Sequence, residues 1–170
     1  APQICTSTTL QVQHTPTPAG AFSFDLACTN NDGDENPYNM TVSGTGTGTP
    51  EIAVSSSESG SVADGGTDAQ GSEVAAASKA ITYTVSNTGT DDLTLATATS
   101  SSLSNVMVNS ISAPVATTVT PGNSTTFTVQ YTPTPACAFS FDPAFTNNDW
   151  DENPRNMTLT CHGAGPSPLA

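Results

Sequence analysis

Basic residues are almost absent from this chain. Lys79 and Arg155 stand alone among 170 residues, against 15 Asp and Glu, for a formal net charge of −13. Without a basic patch nothing can neutralise a phosphate backbone, which excludes nucleic acid as a partner. Charge of either sign is sparse, at 10% of residues, so the exterior is built of hydroxyls and amides rather than a dense acidic coat. Aromatic residues make up 6% and hydrophobic residues 35%, enough for a modest core. No apolar run approaches the roughly 20 residues that cross a bilayer. The first residues, Ala1-Pro2-Gln3, suit a mature terminus left by cleavage at a small-residue site. Cysteine is limited to Cys5, Cys28, Cys137 and Cys161. None sits in a CxxC pair, which argues against zinc. An even count in an acidic, hydroxyl-rich chain points to disulfides and an oxidising compartment.

What the chain does have is a repeat. Residues 7–48 match residues 124–165 at a constant offset of 117, with 29 of the 42 aligned positions identical. Thr15-Pro16-Thr17-Pro18-Ala19 recurs as Thr132-Pro133-Thr134-Pro135-Ala136, and Asp34-Glu35-Asn36-Pro37 recurs as Asp151-Glu152-Asn153-Pro154. Some seventy residues of strand-like sequence precede the second copy, but six residues precede the first. The pattern predicts a partial module with a Gly/Thr linker over 1–50 and a complete module over 51–170. A half module lacks strands, which points to assembly rather than catalysis.

No segment carries a helical period, whereas strand alternation is common. Ile81, Tyr83 and Val85 alternate with threonines and a serine, and Phe127, Val129 and Tyr131 do the same. Phe139, Phe141 and Phe145 share one face, and Met157, Leu159 and Cys161 share the next. With further strands near 51–55, 61–63, 92–96, 106–108 and 115–119, the complete module has seven to nine short strands separated by turn chemistry, and residues 55–78 read as loose. This spacing predicts an all-β, antiparallel sandwich. The front copy supplies three strands, over 8–14, 21–29 and 39–43, with Leu10, Val12, Phe22, Phe24, Leu26, Met40 and Val42 on one apolar face. Three strands with a bare face cannot close a sandwich.

An ordered set of short motifs resembles a known family. The motifs are Val62-Ala63-Asp64-Gly65, Tyr83-Thr84-Val85-Ser86-Asn87-Thr88-Gly89-Thr90, Asp92-Leu93-Thr94-Leu95, Thr120-Pro121-Gly122, Tyr131-Thr132-Pro133, Asn148-Asp149 with Glu152-Asn153-Pro154, and Gly163-Ala164-Gly165. Together they resemble the choice-of-anchor D type of bacterial Ig-like repeat, akin to the abnormal-spindle and hydin group. The resemblance implies a seven-stranded Ig-like β-sandwich used in tandem on secreted or surface proteins, and it implies no activity. Family members usually lack cysteine, so here the cysteines read as added reinforcement.

Several residues are candidates for function. Cys137 and Cys161 lie on adjacent strands with inward parity, so a disulfide is expected between them. Cys5 and Cys28 form a second candidate pair, with a bond to another chain or free buried thiols as alternatives. The acidic turns offer Asp32, Asp34, Glu35, Asp149, Asp151 and Glu152 as oxygen ligands suited to Ca²⁺; ordinary turn chemistry is the competing reading, and no other cofactor is expected. His14 and His162 lack an orienting partner in the sequence and suggest no catalytic constellation. Trp150, at a hairpin tip, either contacts a partner or folds back over its own sheet. Asn39, Asn123 and Asn156 sit in sequons that an appropriate host would glycosylate.

These features predict a non-enzymatic, secreted structural protein at the cell surface, a subunit of an extracellular filament or surface layer. Its partners would be copies of itself, joined head to tail by sandwich completion through Leu10, Val12, Phe22, Phe24, Met40 and Trp150, with no membrane span. The alternatives are an adhesin or glycan-binding module, and an excerpt of a longer tandem-repeat chain.

Overall fold

A computed structural model describes residues 7–16, 19–74, 76–134 and 138–163. The chain divides into two compact units, Ala1–Thr47 and Gly48–Ala170. It is all-β. Among the described residues there is no helix, and so none long and apolar enough to cross a membrane.

The front unit holds one antiparallel pair, β1 (Gly20–Cys28) and β2 (Tyr38–Gly46), with Phe22 opposite Gly44 and Phe24 opposite Val42. The second unit holds β3 (Ile52–Ser56), β4 (Gly60–Val62), β5 (Gly66–Glu73), β6 (Lys79–Asn87), β7 (Leu93–Thr94), β8 (Thr99–Ser104), β9 (Val106–Ile111), β10 (Thr118–Val119), β11 (Ser124–Pro133), β12 (Phe139–Phe145) and β13 (Arg155–Gly163). They form a five-stranded sheet in the order β4-β3-β6-β11-β9, a four-stranded sheet in the order β5-β13-β12-β8, and a short β10-β7 pair. Residues Ile81, Tyr83, Val85, Phe127, Val129 and Tyr131 of the first sheet and Phe139, Phe141, Met157 and Leu159 of the second make one buried core. The alternation read from the sequence is what creates it, because successive side chains point to opposite faces of a strand. Asn105, with φ of 57°, turns the chain from β8 in one sheet to β9 in the other.

The structure corrects the expected strand list in three ways. Among the described residues the second unit has eleven strands rather than seven to nine. The additions β5 and β8 have sequences, GTDAQGSE and TSSSLS, with almost no apolar residues. The inward positions of β5 are Asp68 and Gln70, both buried, so an apolar alternation could not reveal it, and the segment expected to be loose is a core strand. The pairing is also not wholly antiparallel, since β5 runs parallel to β13.

The third correction concerns the front unit. Residues 8–14 form no strand there, although the aligned residues 125–131 lie within the strand β11. The reason is visible in the second unit, where β11 bonds to β6 and β9 and not to β12. Nothing equivalent to β6 or β9 is described in the front unit, so the same sequence has no ladder to join.

At the junction of β6 with its neighbours, buried Asn87 donates to the Asp91 and Val119 carbonyls at 2.7 and 2.8 Å and accepts from the Gly89 N–H at 3.0 Å. A methyl group at Gly89 would strike the backbone of Thr49, Pro50 and Glu51. Gly89→Ala is expected to destabilise the second unit by about 2–4 kcal/mol, read as a lower denaturation midpoint. An unchanged midpoint would contradict this contact.

Candidate functional site

The front unit is half of a core, left open. Along β1 the side chains of Phe22, Phe24, Leu26 and Cys28 are half-buried while those between them are exposed. Phe139, Phe141 and Phe145, in line with Phe22, Phe24 and Cys28, are fully buried. Met40 is 38% exposed and its counterpart Met157 is 1% exposed. Leu10 and Val12 are 67% and 40% exposed, against 3% and 0% for Phe127 and Val129. Leu10, Val12, Phe22, Phe24 and Met40, the interface residues expected in the front unit, are therefore half-buried or exposed.

The open half is nevertheless shaped like the closed one. His14 stands 5.0 Å from Phe22 and 5.6 Å from Phe24, centroid to centroid. In the second unit Tyr131 stands 5.3 Å from Phe139 and 5.5 Å from Phe141. His14 thus packs on Phe22 and Phe24 as Tyr131 packs on Phe139 and Phe141, so it is a packing residue. Among the described residues it makes no hydrogen bond to a hydroxyl or carboxylate that would orient it for catalysis. The side chain of His162 lies outside the described residues.

The acidic turns are organised by asparagine, identically in both copies. Asn30 and Asn147 accept from the N–H two residues on at 2.7 Å. Their amides donate to the Glu35 and Glu152 carbonyls at 2.8 and 2.9 Å, and both loops end in a cis Asn–Pro bond. The copies differ in what their next two residues touch. In the second unit Asn148 accepts from the Thr94 N–H at 2.7 Å and donates to the Asp92 carbonyl at 3.0 Å, while Asp149 accepts from the Ile52 N–H at 2.8 Å. The side chains of Asn31 and Asp32 have no such protein partners among the described residues.

Of the proposed metal ligands the structure brings together only Asp149 and Glu152, and it adds Glu51, which sequence reasoning missed because it lies about 100 residues away. One ligand oxygen from each lies within 4.8 Å of the others. Arg155 already balances this group, donating to Glu152 at 2.7 Å and to the Val62 carbonyl at 2.6 Å. Ca²⁺ takes 6–8 oxygens, so three carboxylates bound through one oxygen each would need backbone carbonyls or water besides. Asp32, Asp34, Glu35 and Asp151 join no such group among the described residues. Burial raises the Glu152 carboxyl above its ordinary range; Arg155 opposes this, and Asp149 and Glu51 add to it. A raised folded value means that Glu152 contributes full stability below the unfolded value and loses it as pH climbs through the folded one. Glu152→Gln should therefore gain stability relative to the native chain as pH rises through and above the ordinary carboxylate range, measured by denaturant midpoints at a series of pH values. Parallel pH profiles would contradict the assignment.

Cys161 is buried opposite Phe139 and donates to the Gly71 carbonyl at 2.7 Å. Burial pushes its thiol up. Cys5 and Cys137 lie outside the described residues; Cys28 carries a free, half-buried thiol. Trp150 is 88% exposed at its loop tip rather than folded over its sheet. Asn39, Asn123 and Asn156 are all exposed.

No protein-family model matches the chain, and no curated protein matches it. Solved structures similar to it include a protein of unknown function from Porphyromonas gingivalis W83, at 14% identity and a TM-score of 0.47, covering 88% of this chain and 68% of that one. The secreted serine protease VesC of Vibrio cholerae is similar over 55% of this chain at 13% identity and a TM-score of 0.44. The VesB protease of the same organism is similar over 64% at 16% identity and a TM-score of 0.40. The chain spans 21% of the length of VesC and 31% of that of VesB.

Proposed function

We propose that this chain is a non-catalytic, secreted structural protein, built from Ig-like repeats and working in an extracellular filament or surface layer. Subunits of this repeat type are joined by completing the open sandwich of the front unit. One observation carries the reading: nearly identical sequences are buried at Phe141, Met157 and Val129, but half-buried at Phe24 and exposed at Met40 and Val12. A bare face of this kind is stabilised when another polypeptide covers it, and its open backbone edges make the contact directional. Charge on only 10% of residues, nearly all of it acidic, and the abundance of hydroxyls suit an exterior built of hydroxyls and amides, and a Cys137–Cys161 disulfide would add about 2–4 kcal/mol. Immunogold electron microscopy of the native extracellular material tests the proposal. Label repeating regularly along fibres or layers is expected; label inside cells, or scattered on single molecules, would overturn it.

The exposure of Trp150 favours a second reading, a glycan-binding or adhesive module, since an exposed indole stacks on sugar rings. Glycan-array binding abolished by Trp150→Ala would move the assignment there.

A further inference from the structure

We infer that Asp32 is a site of spontaneous covalent modification. Its side chain closes on the Gly33 amide to a succinimide, which reopens to isoaspartate, while the fold withholds the same chemistry from the other Asp-Gly step of the chain. This goes beyond the structural role proposed above and does not depend on it.

Asp precedes Gly at two places, Asp32-Gly33 and Asp64-Gly65. In the reaction the Gly amide nitrogen attacks the Asp side-chain carboxyl carbon, Cγ. The N–Cγ bond forms, the Cγ–OH bond breaks, and the hydroxyl leaves with the amide proton as water. Water then adds to one of the two ring carbonyls. Addition at Cγ breaks the new N–Cγ bond and restores Asp. Addition at the main-chain carbonyl breaks the original peptide bond and leaves the chain running through Cγ. One water leaves and one returns, so no other reactant is needed. Glycine suits the step because it has no Cβ to obstruct the nitrogen or to restrict the backbone rotation that brings it to Cγ.

Reaction then requires an unheld carboxyl, an unheld amide and room for the two to meet. The front loop meets all three conditions. Asp32 and Gly33 are exposed. Among the described residues the Asp32 carboxyl accepts no hydrogen bond and the Gly33 N–H donates none; the loop holds Asp32 through its own N–H, which donates to Asn30 at 2.7 Å. A Cβ built on Gly33 would have nothing within 4 Å.

Asp64 and Gly65 are also exposed, so exposure does not separate the two sites. Hydrogen bonding does. The Asp64 carboxylate accepts from the Asn156 N–H at 2.8 Å and stands 4.0 Å from Arg155 Nε. The Gly65 N–H, the would-be nucleophile, donates to the Asn156 carbonyl at 2.9 Å. Both reacting groups are therefore tied to one residue of β13. Asp149, which matches Asp32 in the repeat, is buried, accepts from the Ile52 N–H at 2.8 Å and is followed by Trp150. The reactive pair is left unheld in the front loop alone of these three. The product adds one carbon to the main chain inside the turn that Asn30 organises, and so changes the shape of that loop.

The test holds the 170-residue chain in warm neutral buffer and follows isoaspartate with time. Enzymatic isoaspartyl methylation gives the total, and electron-transfer fragmentation of digests gives each site. Asp32 is expected to gain isoaspartate at least about tenfold faster than Asp64, which must first break two hydrogen bonds. Gly33→Trp, the pairing found in the repeat copy, should remove most of the signal at Asp32. In guanidinium chloride, where the fold holds neither site, the two should react at similar rates. Equal rates in the folded chain, or no isoaspartate at Asp32, would overturn the inference. So would a difference that persists in denaturant, because neighbouring sequence rather than the fold would then set it.

Discussion

Phe141→Ala will lower the stability of the main unfolding transition by about 3–5 kcal/mol, whereas Phe24→Ala, at the same place in the repeat, will leave it within about 0.5 kcal/mol. The two phenylalanines sit in the same pentapeptide, Ala-Phe-Ser-Phe-Asp, on strands of the same register. Phe141 is fully buried under Tyr131, with ring centroids 5.5 Å apart, so truncation removes transfer free energy and leaves a cavity. Phe24 is half-buried, and the rings beside it are the smaller ring of His14 and that of Phe22. Denaturant melts of the native chain and the two variants measure the difference. Equal losses would mean that the front face is covered after all.

Asp68→Ala will destabilise the second unit by about 2–5 kcal/mol, because each buried donor left without an acceptor costs about 1–3 kcal/mol. Asp68 is completely buried. It accepts from the Tyr83 hydroxyl at 2.6 Å, from Ser59 at 2.5 Å, and from the Gln70 amide. Burial, with help from the Asp68 hydrogen bond and charge, raises the Tyr83 hydroxyl well above its ordinary value, so it stays a donor. Tyr83→Phe added to Asp68→Ala removes the orphaned hydroxyl and should recover part of the loss. A double-mutant cycle measures that coupling, and strictly additive losses would contradict the pairing.

The strands whose inward positions are apolar were legible in the sequence. Ile81, Tyr83 and Val85, then Phe139, Phe141 and Phe145, announced β6 and β12 because burial selects one face of a strand. β5 was not legible, because Asp68 and Gln70 occupy its inward positions and only the folded neighbours Tyr83 and Ser59 make such burial tolerable. The segment 8–14 failed the other way. Its alternation is sound, yet a strand also needs an edge to bond to, and alternation cannot say whether that edge is present. The open face itself could be read from the repeat and its missing half. The contacts of Asn148 and Asp149 could not, although the recurrence of Asn-Asn-Asp at 30–32 and 147–149 was the signal that could have found them. Glu51 joins Asp149 and Glu152 only through the tertiary fold.

Hydrogen exchange on the monomeric 170-residue chain tests most directly whether the front unit is an uncovered second half of a repeat. Amides of β1 and β2 should exchange at least about 100-fold faster than those of β12 and β13, through local openings that leave the second unit folded. Equal protection in the two pairs, in a chain shown to be monomeric, would contradict it.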